Sequence, residues 1–457
     1  MENITIQDIL EATDGTLLCG DPSMKIDHLS TNSMEIGPNT LFVPIIGERV
    51  DAHIFIPNAL KEGGACLTQE HTEASGNAPY IKVPDTLTAM QQIAAYYRNK
   101  MSLPIIGVTG SVGKTTTREM IAHVLKGKYK VFETIGNQNS QVGVPLTLDH
   151  LTSEDEIGVL EMGMSEKGQI TTLGNIIHPN VGVVTNVGVS HIEMMGSRDN
   201  ICIEKLDIQN GLPEDGVLFL NGDNDMIRKH IDYVKKPYEF YGFADDCTYR
   251  AEKIREKGGQ TLFEFHYGDM KEPITLNVLG KHNVSNALSA IAVADLLGVP
   301  FTKIKEGLKS FHGTDRRFEY KGEVNGVTVI DDYAHHPTEI NATLTAAKEY
   351  PHKEIWCIFQ PHTYTRTKAL FPEFVDALTH ADHVILADIY AARETDTLGM
   401  SSEMIAEELK KKGCDAYYFP SFEEIESFCL DRCQKGDVLI TMGAGDVVNI
   451  GENLLKH

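Results

Sequence analysis

GVTGSVGKTTTREMIAHVL occupies residues 107–125, and its reading decides the fold. The preceding residues complete LPIIGVTG, a buried-type strand, so the order is strand, glycine loop, helix from about Lys114. That order predicts a phosphate-binding loop. Glycines let backbone N–H groups approach oxygens, and a helix start presents its positive dipole end to an anion. Lys114 is then placed to meet β- and γ-phosphates, and Thr115 to hold Mg²⁺. The common spacing G-x-x-x-x-G-K-[ST] would put its first glycine on Val108, whereas the glycines here are Gly107, Gly110 and Gly113. The shift argues against the commonest phosphate-loop classes, not against phosphate binding.

Working outward, IGVLEMG, VGVVTNVG and GVLFLNGD read as further strands with helical stretches between them, which predicts an α/β domain with a parallel sheet. Residues 1 to about 84 read as short strands and turns, with NTLFVPIIG, GACLTQ and APYIKVP as β-rich pieces. Residues 86–101 have helical spacing and serve as a link. From Arg317 a second α/β block begins, with GVTVIDDYA, EIWCIFQP, DHVILADIY, DAYYFPS and DVLITMGAG as strands. Three domains are expected, at 1–101, 102–315 and 316–457.

The 457 residues suffice for several cores, and a net charge of −24 argues against generic nucleic-acid or anionic-membrane binding. An anionic substrate would need a local cationic pocket. The eight cysteines are scattered without a C-x-x-C pair, which suggests neither a zinc ribbon nor a disulfide framework and fits a reducing compartment. The N-terminal MENITIQDILEATDG has no apolar signal core, and no apolar run is long enough to span a bilayer, so a cytoplasmic protein without membrane insertion is expected. A monomer is also expected.

Several polar residues fall where such sheets bind ligands, beyond the carboxyl ends of strands. Glu161 ends IGVLEMG and His191 follows VGVVTNVGVSH; together they could share a divalent metal with the nucleotide, although His191 alone reads equally well as a satisfied loop histidine. Lys205 lies on a helical stretch and, from chemistry alone, is solvated. In LGKHNVSNALSAIAVADLLGV (279–299), His282, Asn283 and Asn286 could read a base, or Asn283 or Ser285 could simply cap the helix. VIDDYAHHPTEI and IFQPHTYTRTKAL place His362 and Arg366 beside two further histidines, a set suited to clamping a small carboxylate. A zinc site from His335, His336 and His362 lacks the usual spacing.

Taken together these blocks resemble the Mur ligase family, the ATP-dependent amino-acid ligases of bacterial cell-wall precursor synthesis. TGSVGKTT (109–116) resembles the family's T-G-[ST]-x-G-K-T-[TS], and GNQNSQVGVPLTL resembles its G-N-x-N-x-x-I-G-x-P segment. EMGMSEKGQI, TNVGVSHIE, GKHNVSNAL and DDYAHHP follow in family order, over nearly the whole chain. The resemblance implies a three-domain architecture with a central parallel-sheet ATPase domain and a Rossmann-like C-terminal domain. It implies that ATP phosphorylates a UDP-muramoyl carboxylate and that an amine attacks the acyl phosphate. It carries nucleotide-binding roles onto Thr109, Gly110, Gly113, Lys114, Thr115, Thr116, Asn139, His282, Asn283, Asn286, Arg317 and Asp332. Thr115 keeps the first Mg²⁺; Glu161 and His191 would hold a second, supported by Lys205 as a carbamate, so that Lys114, His191 and Lys205 form the catalytic set.

Within the family, LSTNSMEIGPNTLFVPIIGERVDAHIF resembles members that take a muramoyl-peptide, with Ser33, Asp51 and His53 at the matching positions and Met34 where D-S-R has arginine. The wording GERVDAH points to addition of D-alanyl-D-alanine to UDP-N-acetylmuramoyl-tripeptide, which is the expected activity. DDYAHHPTEI, FQPHTYTRT, DIYAARE and GAGD instead resemble members that add L-alanine to UDP-N-acetylmuramate, the alternative. His336, His362 and Arg366 are the candidates for gripping the amine substrate's carboxylate. A non-catalytic nucleotide-binding protein is the remaining reading, and the intact Lys114, Thr115, Glu161, His191 and Lys205 set speaks against it.

Overall fold

A computed structural model describes residues 1–47, 50–257, 259–392 and 394–457. Glu48 and Arg49 of GERVDAH and Arg393 of DIYAARE lie outside them. The described chain divides into two compact units, Met1–His312 and Gly313–His457.

The first unit carries two large sheets. The smaller pairs Thr16–Cys19, Tyr80–Lys82, Ala65–Thr68, Thr40–Phe42 and His28–Ser30 in that order, parallel except for the first pair. The region expected as strands and turns also holds a helix, Ile6–Thr13. Its start is fixed by a capping box in which Thr5 and Asp8 bond each other's backbone N–H. The linking helix runs Thr86–Asn99 with Asp85 as its cap.

The larger sheet has nine strands. From one edge they are Met270–Leu276, Gln260–Tyr267, Tyr249–Lys257, Tyr238–Gly242, Val217–Asn221, Val181–Val184, Ile105–Thr109, Ile157–Glu161 and Val131–Glu133. Seven strands, from Tyr249–Lys257 to Val131–Glu133, run parallel, as the βαβ pattern predicts. The expected all-parallel sheet is corrected at one edge, where residues 249–276 form an antiparallel ribbon. The strand Ile105–Thr109 is buried throughout and lies between Ile157–Glu161 and Val181–Val184. The carboxyl ends of these three strands therefore stand side by side.

The two sheets of this unit share one apolar cluster. Ile4, Ile9, Leu41, Leu67 and Ile81 from the front belong to it with Leu148, Leu173, Ile208 and Leu218 from the centre. Arg98, at the end of the linking helix, is buried and gives its guanidinium to the carbonyls of Ile177, Met101 and Leu103. It thereby satisfies carbonyls that would otherwise be stranded inside.

The second unit is a six-stranded sheet in the order Glu319–Val324, Val327–Asp332, Val438–Met442, Ile355–Phe359, His383–Leu386, Asp415–Tyr418, parallel except for the first strand. Apolar clusters lie on both of its faces, as a parallel sheet requires. No helix among the described residues is long and apolar enough to cross a membrane.

Candidate active site

The glycine loop leaves the strand at Thr109, and the helix Lys114–Leu125 begins directly after Gly113. Gly113 has φ 76°, the left-handed region that favours glycine, and no side chain caps the helix start. The first-turn N–H groups are thus left for a ligand. Gly110 answers the spacing question posed by the sequence. A Cβ built there would fall 1.9 Å from Thr185 Oγ1, so the neighbouring strand end leaves no room for a side chain.

Thr109 is fully buried and donates its hydroxyl to the Met162 carbonyl at 2.8 Å, which ties two strand ends together and turns it away from ligand duty. Thr115 Oγ1 donates to Glu161 Oε2 at 2.9 Å, and Asn139 Nδ2 donates to Glu161 Oε1 at 2.7 Å. Thr116 lies half-buried in the same first helical turn. Glu161 is 2 % exposed and forms no ion pair among the described residues. A buried carboxylate held only by a hydroxyl and an amide N–H, with no cation of its own among the described residues, suits a hard divalent ion.

Lys205 corrects the expectation of a solvated lysine. It sits near the end of the helix Arg198–Leu206 at 2 % exposure. Burial, and after it the positive charge of Lys114, push its pKa down to about 7. Its neighbour Glu204 accepts from the N–H groups of Gly168 and Ile170 at 2.7 and 2.8 Å, which ties the Lys205 backbone to the start of the helix Gln169–Ile177. His191 lies apart from this buried set in one respect: it is exposed, at the N-cap of the short helix Ile192–Met195, with φ 63°.

The helix expected in 279–299 runs Lys281–Leu296, and Gly280 is its N-cap without a side-chain bond. The expected cap by Asn283 or Ser285 is therefore wrong, because both lie inside the first turns. Asn283 Nδ2 donates to the Leu279 carbonyl at 2.8 Å. Asn286 is buried; its Oδ1 accepts from Thr117 Oγ1 at 3.0 Å and lies next to Gly113. Asn286 thus braces the loop from beneath, while His282 is exposed.

In the front sheet, Ser33 is half-buried and Met34 is 85 % exposed. Asp51 and His53 satisfy each other. Asp51 Oδ1 accepts from the backbone N–H of His53 at 2.9 Å and from its Nδ1 at 2.6 Å, and His53 Nε2 accepts from the Gln69 N–H at 3.3 Å. His53 is buried, so this pair shapes the loop rather than presenting a free imidazole.

In the second unit, Asp332 ends its strand buried, with Oδ2 accepting from the Phe318 N–H at 2.7 Å and Oδ1 from Ala334 at 2.8 Å. Burial raises its pKa to about 6. Arg316 is consumed by Asp331 at 2.9 Å and by the carbonyls of Gly443 and Gly445. Arg317 is exposed, 5.8 Å from the Tyr333 ring centroid.

The structure brings His362 toward His335, with ring centroids 6.1 Å apart, and stacks it on Tyr390 at 5.4 Å. Burial, then the charge of Arg366, lower the His362 pKa. His362 Nδ1 and Arg366 Nη1 are both buried without a hydrogen-bond partner. Two buried polar groups left unsatisfied side by side in this way are open to partners a ligand could supply. His336 is exposed, so of the two consecutive histidines it is His335 that faces the cluster. The zinc alternative is not supported: among the described residues, groups of three His, Cys, Asp or Glu with converging ligand atoms occur only elsewhere.

Family models match the chain twice. The Mur ligase middle domain covers residues 108–294, and the Mur ligase glutamate ligase domain covers 316–445. UDP-N-acetylmuramate--L-alanine ligase of Lachnospira eligens is 42 % identical over 370 residues, 80 % of this chain and 77 % of that protein. The fold is similar to UDP-N-acetylmuramoylalanyl-D-glutamyl-2,6-diaminopimelate--D-alanyl-D-alanyl ligase from Acinetobacter baumannii, with TM-score 0.77, 24 % identity, and 99 % and 97 % of the two chains covered. It is also similar to MurF ligase from Thermotoga maritima in complex with ADP, with TM-score 0.75, 25 % identity, and 95 % and 98 % covered.

Proposed function

The chain belongs to the Mur ligase family and is an ATP-dependent, ADP-forming ligase of peptidoglycan precursor synthesis; from that premise we propose that it adds L-alanine to the carboxylate of UDP-N-acetylmuramate. The observation that carries this choice is the 42 % identity to the L. eligens L-alanine ligase across four fifths of the chain. The expected addition of D-alanyl-D-alanine to the tripeptide becomes the second reading. Its support is the likeness over nearly the whole chain to the T. maritima MurF ligase, together with the GERVDAH stretch.

In this reading residues 1–101 take the UDP-muramoyl group, 102–315 the nucleotide and 316–457 the amine. First-turn N–H groups and Lys114 hold the phosphates of ATP. The muramoyl carboxylate attacks the γ-phosphorus, ADP leaves, and the amine nitrogen attacks the acyl carbon before phosphate departs. Little of this needs protein nucleophiles, so positioning and charge neutralisation supply the rate. Thr115 and Glu161 would hold Mg²⁺, which neutralises phosphate charge. A second ion would engage Glu161 and His191, with Lys205 supporting it as a carbamate. An amine near neutrality at pH 7 suits Lys205 to that modification, since only the unprotonated form reacts with CO₂. His362 and Arg366, with His335, receive the carboxylate of the incoming amino acid.

Product mass after incubation with Mg·ATP and paired substrates tests the choice. One mixture holds UDP-N-acetylmuramate with L-alanine, the other UDP-N-acetylmuramoyl-tripeptide with D-alanyl-D-alanine. Product in the first alone supports the first reading; product in the second alone overturns it and leaves the chemistry intact.

A further inference from the structure

The glycine loop is gripped by the next strand end through contacts that leave only part of the loop for phosphate. Ser111 N–H donates to the Asn186 carbonyl at 3.0 Å. Val112 N–H donates to Asn186 Oδ1 at 3.0 Å, and Asn186 Nδ2 returns a bond to the Val112 carbonyl at 2.9 Å. The same carbonyl accepts from Thr185 Oγ1 at 2.7 Å, and Ser111 Oγ accepts from the Gly188 N–H at 2.8 Å. The Val112 side chain is exposed and contributes no anchorage of its own. Its peptide groups are held like a residue in a ladder, by one side-chain amide that donates and accepts at once.

We propose that Asn186, assisted by Thr185, is a positioning residue for the nucleotide. It takes the Ser111 and Val112 amides out of ligand duty and fixes the loop so that phosphate is bound by the amides from Gly113 onward, with Lys114. The shifted glycine follows from the same arrangement. Thr185 can reach Val112 only by passing where a side chain on residue 110 would lie. Without the clamp, nucleotide has to order the loop as it binds, and its affinity falls by that cost. The inference rests on the phosphate-loop reading, not on which amine is joined.

The test is the dissociation constant for Mg·ADP, by calorimetry on the full chain, beside the melting temperature and the affinity for UDP-N-acetylmuramate. Loss of both side-chain bonds in Asn186→Ala, or of the donor with a repulsion in its place in Asn186→Asp, predicts about a tenfold or greater weakening of ADP. In Asn186→Asp a carboxylate oxygen replaces the donor and opposes the Val112 carbonyl. Melting temperature and UDP-N-acetylmuramate affinity should hold, and the loss should appear in KM for ATP rather than in kcat. Thr185→Ser should stay close to wild type while Thr185→Val weakens ADP. ADP affinity within twofold of wild type in folded Asn186→Ala, with Lys114→Ala impaired, overturns the clamp alone. Unchanged affinity in both variants overturns the phosphate-loop reading with it. If Asn186→Ala does not fold, equal ADP affinity in Thr185→Val and Thr185→Ser overturns the proposal.

Discussion

Lys205 lies in the field of Lys114: burial first, and the Lys114 charge second, hold its amine near pH 7 rather than in the usual lysine range. Lys205 is thereby poised to lose its charge.

That contrast predicts separable losses. Lys205→Ala should lose activity by about 100-fold or more, and short carboxylic acids such as acetate should restore part of it. In CO₂-depleted buffer the wild-type enzyme should weaken. Bicarbonate should restore it better at pH 8 than at pH 6, because the reactive neutral amine predominates only above about 7. Near-normal turnover in Lys205→Ala would remove the residue from the site.

Lys114→Ala should cut ADP formation by about 1000-fold, the scale expected for loss of a charge aimed at a transferring phosphoryl group. The folded state should be unaffected, since the side chain is only half-buried. Measured ADP release that persists would sink its role.

Glu161→Gln should raise the Mg²⁺ concentration needed for half-maximal activity while leaving the melting temperature unchanged or higher. The carboxylate is buried without an ion pair among the described residues, so neutralising it relieves desolvation as it removes a metal ligand. A variant with wild-type Mg²⁺ dependence would exclude Glu161 from the metal.

Arg366→Ala should raise KM for the amine substrate about tenfold or more, with KM for ATP unchanged, if its guanidinium pairs a carboxylate. Equal effects on both KM values would point to a folding defect in the second unit instead.

The second unit should also show a pH-dependent stability. His383 stacks on Trp356 at 3.8 Å and bonds Glu354 at 2.8 Å and Asp415 at 2.6 Å. Burial disfavours its charge, but the two carboxylates outweigh burial and raise its pKa. A histidine whose folded pKa is raised stabilises fully below its unfolded value of about 6.5 and loses that contribution as pH rises through the folded value. Both carboxylates are half-exposed, so the effect is about 1 kcal/mol or less. Thermal melts from pH 5.5 to 8.5 should fall more steeply in wild type than in His383→Gln; parallel curves would refute the coupling.

The loop, the strand-end carboxylate Glu161 and the parallel pairing of the central strands are legible because each follows from a local rule. Glycine marks close approach, and strand ends mark the ligand face. Adjacent pairs were not legible. Arg316 and Arg317, like His335 and His336, sit on irregular segments where no period says which side chain turns inward. The buried partner was therefore misjudged for the histidines. Nothing in the sequence points to Asn186, because TNV reads as an ordinary strand end and its bonds are to backbone 74 residues away. One lysine on a helix carries no sign of what packs over it, so the residues alone suggest a solvated Lys205 and only the family resemblance places it in the site. The antiparallel ribbon could have been read, since Thr261, Phe263 and Phe265 alternate inward between turns at Gly259 and Gly268.

The apolar cluster common to the front and central sheets has a consequence for how such enzymes change partners. The front cannot be exchanged like a cassette at a flexible linker. A graft that replaced residues 1–101 would have to supply groups that meet Leu148, Leu173 and Ile208, and an arginine to quiet the carbonyls of Ile177 and Leu103. Heating should melt Met1–His312 in one step, and a fragment lacking the front should aggregate. Recombination between relatives with different front modules is tolerated only where the seam itself travels with the module.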